Sequence, residues 1–240
     1  MRYLSSVVVR RLTAALPLAV VRLAHTLPAP ARAHVNAAGD KGYVLCTYGL
    51  RLVPFAYLGA KHMVTGYDHL LFLVGVIFFL YRLRDTVLYV TLFAVGHTIT
   101  LLAGVLAHVS VNVFLIDAII GFSVVYKGLD NIGALKRWLG FQPSIRISTM
   151  VFGLCHGLGL ASKLIDFELA GEGVVANLLA FNVGVEVGQI LALAAILVAM
   201  GFWRRTPSFV KYATAANVVL IFAGALLVAY QVAGFLGGRA

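Results

Sequence analysis

The chain has 240 residues, of which 61% are hydrophobic and only 12% are charged. Soluble globular domains contain about 45–50% apolar and about 25% charged residues, so this composition excludes that class and predicts a helical protein that crosses a membrane several times. The formal net charge is +10, but the basic residues lie at the start of the chain and between apolar stretches. That distribution is typical of membrane topology and argues against a nucleic-acid surface.

Residues 1–33 have the features of a signal peptide. Arginines precede the apolar run 12–27, and an Ala-Arg-Ala sequence at 31–33 fits a small-residue cleavage site. Arg22 interrupts the run, and a retained first helix is therefore the alternative. Removal would make His34 the mature N-terminus on the outer face, where its amine and imidazole offer two metal ligands.

Six long apolar stretches follow and predict six transmembrane helices, most with the ~20 residues that a bilayer core requires. We expect them at about 67–83, 86–106, 111–135, 146–166, 174–200 and 211–236. The segment 34–66 is predicted to be a short outer region with a helix at the membrane interface, and 67–240 the transmembrane domain. The predicted fold class is an all-α polytopic membrane bundle.

The charges of the predicted loops give an orientation. The first, third and fifth loops are basic, with Arg82, Arg84, Lys136, Arg137, Arg146, Arg204, Arg205 and Lys211. The second loop has only His108, and the fourth holds three acids against Lys163. Because cytoplasmic loops carry the excess of Lys and Arg, the odd loops are predicted to be cytoplasmic and both mature termini to lie outside.

The small-residue pairs Gly153/Gly157 and Gly184/Gly188 predict close helix approach.

Polar and ionisable side chains interrupt the predicted spans, where their burial is costly and so indicates function. The ones we expect to bind a metal are His62, Asp68, His69, His97, His156 and Glu186. Those expected to orient these ligands are Thr100, Asp117, Asn182 and Gln189. Gly66 lies between the first His and the Asp-His pair and would let the chain bend.

These groups come from separate helices at overlapping depths, so they are predicted to line one cavity that opens outward. Imidazole binds nickel, copper and zinc well, and a carboxylate offsets the charge of the ion. A histidine can also be a packing residue, and Asp68 can cap a helix. Lys127 and Asp130, three residues apart, are predicted to form a structural ion pair.

Four stretches together resemble the HupE/UreJ family of hydrogenase and urease accessory membrane proteins. They are His62-x5-Asp68-His69-Leu-Leu-Phe, Gly96-His97-Thr98-Ile-Thr100-Leu, Phe152-Gly-Leu-Cys-His156-Gly-Leu-Gly-Leu-Ala161 and Phe181-Asn182-Val-Gly184-Val-Glu186-Val-Gly188-Gln189. The resemblance covers about residues 55–236. It implies a bacterial inner-membrane permease that brings nickel, or cobalt, toward metalloenzyme maturation.

By position, the resemblance assigns His62, Asp68 and His69 to the family's metal motif. Met63 stands where better-studied members have proline after the first His. Nickel rests on the resemblance alone, and copper and zinc remain alternatives, copper above all if His34 is the mature N-terminus.

Three classes of function remain open on the sequence. A metal-ion permease, which is not an enzyme, is the first, with the lipid bilayer and the ion as its partners. An accessory or assembly subunit of a membrane metalloenzyme complex is the second. An intramembrane metalloenzyme is the third, although the sequence has neither a His-Glu-x-x-His nor a Gly-x-Ser-x-Gly motif. It also has no Walker A motif, so transport would be facilitated or ion-coupled.

Overall fold

The computed structural model describes residues 50–80, 82–165 and 173–237, and the elements within these ranges are helices. The predicted signal peptide and His34 lie outside the described residues. The helices are α1 (Leu52–Thr65), α2 (Tyr67–Ile77), α3 (Leu83–Leu106), α4 (Val113–Asn131), α5 (Ala134–Leu139), α6 (Ile145–Ile165), α7 (Val174–Arg204) and α8 (Pro207–Leu236). The all-α class is therefore confirmed.

Four helices of the described ranges are long and apolar enough to cross a membrane: the Arg84–Leu106 part of α3, and α6, α7 and α8 in full. The helix α2 is apolar but has only 11 residues, about half of what a bilayer core requires. The helix α4 has 19 residues and contains three charged side chains, Asp117, Lys127 and Asp130. The protein is a multi-pass helical membrane protein.

The first predicted span, 67–83, is wrong at its end, because α2 stops at Ile77. The guanidinium of Arg204, at the end of α7, donates hydrogen bonds to the backbone carbonyls of Ile77 and Phe78. The carbonyl of Ile77 also accepts a hydrogen bond from the backbone N–H of Leu80, and basic side chains commonly bind carbonyls at the C-terminal ends of helices. The hydrophobic pattern continues past this point and could not reveal the interruption.

Three pairs of helices pack along their length: α1 with α7, α3 with α6 and α4 with α8. Each pair is closest where a glycine meets backbone. A Cβ at Gly184 would overlap the carbonyl of Ala56, one at Gly157 would overlap the carbonyl of His97, and one at Gly224 would press on Gly121. The predicted close approaches at Gly153/Gly157 and Gly184/Gly188 are confirmed. The short helix α1 thus lies along a helix long enough to span the membrane.

Candidate metal site

A break in the chain at Gly66 brings two histidines together. The helix α1 ends at Thr65 and α2 begins at Tyr67, and Gly66 between them has an extended conformation with ψ of 97°. His62 and His69, on either side of this break, are in contact with ring centres 4.8 Å apart. A side chain at position 66 would press on the ring of His69. The predicted bend at Gly66 is therefore present.

A third imidazole comes from α6. The ring centre of His156 lies 4.7 Å from that of His69. Two imidazoles that share a metal at the usual nitrogen–metal distance of about 2 Å have ring centres roughly 5 Å apart. The spacing of these rings therefore fits a common metal ion.

The three rings surround a small cavity, which we call the histidine pocket. It is lined by His62, Asp68, His69, Asp117, Ile120, His156, Gly159, Leu160 and Lys163. The volume of about 10 Å³ is at the lower limit for one water-sized particle. Such a space suits a dehydrated ion and excludes an organic solute.

Several polar atoms of the histidine pocket lack the partners that buried groups normally have. Both ring nitrogens of His62 and of His156 are buried without a hydrogen-bond partner among the described residues. Buried polar side-chain atoms are paired in the large majority of cases, so each exception requires an explanation. An imidazole whose nitrogens are not committed elsewhere can coordinate a metal.

His69 is held differently. Its Nδ1 lies 2.9 Å from Oδ1 of Asp68, and this interaction holds the ring in its orientation. Metal-binding histidines commonly make such a contact to a carboxylate with the ring nitrogen that does not bind the metal. Asp68 thus contacts His69 and also lines the histidine pocket, and its role as a direct ligand stays a prediction.

The described ranges contain no group of three or more His, Cys, Asp or Glu side chains already arranged as a metal site. His62 and His156 each meet His69 edge to face, at interplanar angles of 76° and 85°.

An aromatic layer closes one side of the histidine pocket. The ring of Phe93 packs against His156 with centres 4.9 Å apart, and Phe72 packs against Phe93 and Phe152 at 5.4 and 5.8 Å. The ring of His97 stacks on Phe93 at 6.3 Å, and its nitrogens are also buried without partners. Phe93 therefore contacts both His156 and His97. His97 is close to the histidine pocket but is not one of its lining residues.

The structure does not bring Glu186 to the histidines. The face of α7 that packs against α1 contains Phe181, Gly184 and Gly188, and Glu186 points away from it as an exposed side chain. Its neighbours Asn182 and Gln189 are buried, with polar atoms that lack partners. The three residues were predicted to share one helix face. In the structure Asn182 and Gln189 lie within the packed surface of α7, and Glu186 lies outside it.

Thr100 also has a different role from the predicted one. Its hydroxyl donates a hydrogen bond to the carbonyl of Leu154 at 2.7 Å and so joins α3 to α6. Among the described residues, the hydrogen bonds of this hydroxyl go to backbone carbonyls, and none goes to an imidazole ring. This hydrogen bond joins the two helices that carry His97 and His156, and the predicted role of Thr100 beside the ligands stays a prediction.

Lys163 is the pocket residue that sequence reasoning missed. It had been assigned to the fourth loop, but it lies within α6, and its Nζ is 2.9 Å from both carboxylate oxygens of Asp117. Part of the signal was present, because Asp117 inside a predicted span requires a cation, but the helix that supplies this cation depends on tertiary packing. Asp117, predicted only to orient ligands, lines the pocket as one half of this ion pair.

A second polar region lies at the other end of α2, and we call it the Lys127 cavity. Its volume is about 430 Å³, and it is lined by Val76, Phe79, Leu80, Arg82, Asp85, Tyr89, Lys127, Asp130, Asn131, Gln142 and Ile145. Lys127 Nζ donates to Asp130 at 2.6 Å, which confirms the predicted ion pair. The amide of Asn131 donates to the carbonyl of Gly75 and to the side-chain oxygen of Asn217, each at 2.8 Å.

Four membrane-length apolar helices and a small histidine-rich pocket between helices define a class of protein: multi-pass membrane proteins with a polar site inside the helix bundle. The family comparison then assigns the chain within that class. The model of the family described as HupE / UreJ protein matches residues 38–239. The chain therefore belongs to the HupE/UreJ family, as its motifs predicted. No curated protein and no solved structure matches it.

Proposed function

We propose that the protein is a permease for a divalent transition-metal ion, with the histidine pocket as its binding site. The observation that carries the proposal is the set of buried, unpartnered ring nitrogens of His62 and His156 beside the Asp68–His69 pair. Three imidazoles with adjacent carboxylates form a donor set that transition-metal ions prefer over alkali and alkaline-earth ions. The small volume of the pocket supports an ion as cargo.

Nickel is the cargo that family membership favours, because the HupE/UreJ family is associated with the supply of nickel to hydrogenase and urease. The imidazole donors themselves accept nickel, cobalt, copper and zinc. The choice of nickel therefore rests on the family and the choice of a transition metal on the pocket.

The proposal includes the orientation of the molecule. Six spans, cytoplasmic odd loops and a removed signal peptide would place the protein in the bacterial inner membrane with both termini periplasmic. The pocket residues Asp68, Asp117 and Lys163 lie near the ends of α2, α4 and α6 that would face outward. The aromatic layer of Phe72, Phe93 and Phe152 would then be the barrier that an ion has to pass on its way inward. Mass spectrometry of the mature N-terminus tests the cleavage after residue 33.

Reconstitution tests the transport itself. The full chain in proteoliposomes should take up nickel faster than protein-free liposomes, and His62→Gln should reduce uptake to the protein-free rate. His108→Gln is the matched control, because His108 is exposed beyond the end of α3. Competition by cobalt, copper and zinc ranks the metals. Equal uptake by the wild type and by His62→Gln would contradict the proposal.

An accessory subunit of a membrane metalloenzyme complex is the second candidate, and Glu186 favours it. This carboxylate lies in a stripe of exposed apolar residues on α7 that includes Val183, Val187 and Ile190. An ionisable group facing lipid is costly, and a partner helix that covered it would remove the cost. Stoichiometric co-purification of a membrane partner that is lost in Glu186→Leu would support this role.

A further inference from the structure

The histidine pocket contains a cation of its own. The Nζ of Lys163 lies 2.9 Å from Oδ1 and Oδ2 of Asp117, and both side chains line the cavity between the imidazoles. The pair is largely buried, with side-chain exposures of 16% and 12%. A site proposed to bind a positive ion thus holds a positive group at its wall.

The two helices that carry this ion pair are joined close to it. The hydroxyl of Ser162, next to Lys163, accepts a hydrogen bond from the backbone N–H of Val111 at 3.1 Å and so ties α6 to the segment before α4. Asp117 lies on the second turn of α4. The ion pair is therefore built between two helices whose ends are already joined.

We propose that Lys163 is a tethered counter-cation that limits how tightly the histidine pocket holds its metal ion, with Asp117 shared between the ammonium and the ion. This inference rests on the proposed function. Among the residues lining the pocket, Asp68 and Asp117 are formally negative and Lys163 is formally positive, which leaves one net negative charge. A divalent ion therefore changes the charge of the pocket from −1 to +1.

The charge count explains why the lysine is useful. Without Lys163, a divalent ion would be neutralised by two carboxylates in a closed, poorly solvated space and would leave slowly, because charges attract strongly where water is excluded. With Lys163 present, the ion has to gain enough from imidazole coordination to offset the repulsion. Ions that bind imidazole weakly, such as magnesium, cannot do so. The ammonium thus lowers affinity and sharpens selectivity together.

A series of charge variants tests the proposal by isothermal titration calorimetry with nickel chloride on the full chain in detergent. Lys163→Met, with a pocket charge of −2, should bind nickel about tenfold more tightly than the wild type, and Asp117→Asn, with a charge of 0, about tenfold more weakly. The double variant Asp117→Asn/Lys163→Met returns the charge to −1, and its Kd should lie within about threefold of the wild-type value. Its buried pair is removed as a whole, so it should also fold where the single variants are unstable.

Lys127→Met is the matched control. It removes another buried lysine from an ion pair, with Asp130, but in the Lys127 cavity. If it tightens nickel binding as much as Lys163→Met does, the effect is not local and the inference is overturned. An unchanged Kd in Lys163→Met also overturns it. So does a double variant as weak as Asp117→Asn, since Lys163 would then have no influence of its own.

Failure of the proposed function gives a different result. In that case the wild type shows no saturable 1:1 binding of nickel, or binds it equally well in His156→Gln. If the wild type binds nickel, His156→Gln loses it and the charge series is flat, then the metal site stands and only the role of Lys163 is wrong.

Discussion

The histidine pocket and the Lys127 cavity are both polar and both partly enclosed, and α2 connects them, yet their hydrogen bonding differs. In the Lys127 cavity the polar groups of Lys127, Asp130 and Asn131 have protein partners. In the histidine pocket, His62 and His156 have ring nitrogens with none among the described residues. A polar group that is paired within the protein stabilises the fold, whereas an unpaired buried one has binding capacity left for a ligand. Polarity at membrane depth therefore indicates function here only where the pairing is incomplete.

The largest difference between the histidine pocket and the Lys127 cavity should appear when a pocket histidine is substituted. His156→Gln is expected to weaken nickel binding by about 100-fold or more, because loss of a direct ligand should cost at least as much as the 10–100-fold loss seen when an outer-shell partner is removed. Calorimetry on the purified protein measures it. Asn131→Ala, in the Lys127 cavity, is the control and should keep the wild-type Kd. Similar losses in both variants would mean that the two regions do not differ as described.

Asp68→Asn should have the next largest effect on the same measurement. Asn retains the size of the side chain but not its charge, so the contact that orients His69 is weakened and nickel affinity should fall by about 10–100-fold. Asp85→Asn is the matched control, since Asp85 is an exposed carboxylate that lines the Lys127 cavity. Wild-type affinity in Asp68→Asn would show that the Asp68–His69 pair only caps α2.

Lys127→Met should lower the stability of the fold and leave nickel binding unchanged. Breaking a buried ion pair leaves an unpaired charge and costs about 3–5 kcal/mol, and Gln142, which also donates to Asp130, should reduce that cost. The midpoint of thermal unfolding should fall while the Kd for nickel stays at the wild-type value. Weaker nickel binding without a change in stability would reverse the roles that we assign to the two regions.

Glu186→Gln should have the smallest effect on nickel. Since Glu186 is exposed and outside the pocket lining, the Kd should change by less than about twofold, within the range of a distant substitution. A large loss of affinity would return Glu186 to the metal site and require a different packing of α7.

Much of the fold and part of the site follow from the sequence. The apolar stretches gave the starts and ends of most helices to within a few residues, and the glycine pairs gave two of the close helix contacts. The meeting of His62, His69 and His156 follows from their cost in lipid and their similar depth. Each of these features can be predicted because burial in lipid or close helix packing restricts which residue types can stand at a position.

The rest depends on how helices rotate and which neighbour each one meets. The spacing of Asn182, Glu186 and Gln189 predicts one face, but whether that face is covered depends on α1, whose packing against α7 is a tertiary property. The Asp117–Lys163 pair joins residues 46 positions apart, and nothing in either local sequence specifies the other. The carbonyls of Ile77 and Phe78 at the end of α2 likewise accept hydrogen bonds from Arg204 of α7, which is distant in sequence.

The chain break at Gly66 has a mechanical consequence. His62 belongs to the pair α1–α7, which is held together by Gly184 and Gly188, whereas His69 and His156 stand on α2 and α6. A rigid shift of the α1–α7 pair therefore changes the separation of His62 from the other two rings without unwinding any helix. The number of imidazoles that can reach one ion at the same time therefore depends on how the pair α1–α7 is placed against α2 and α6.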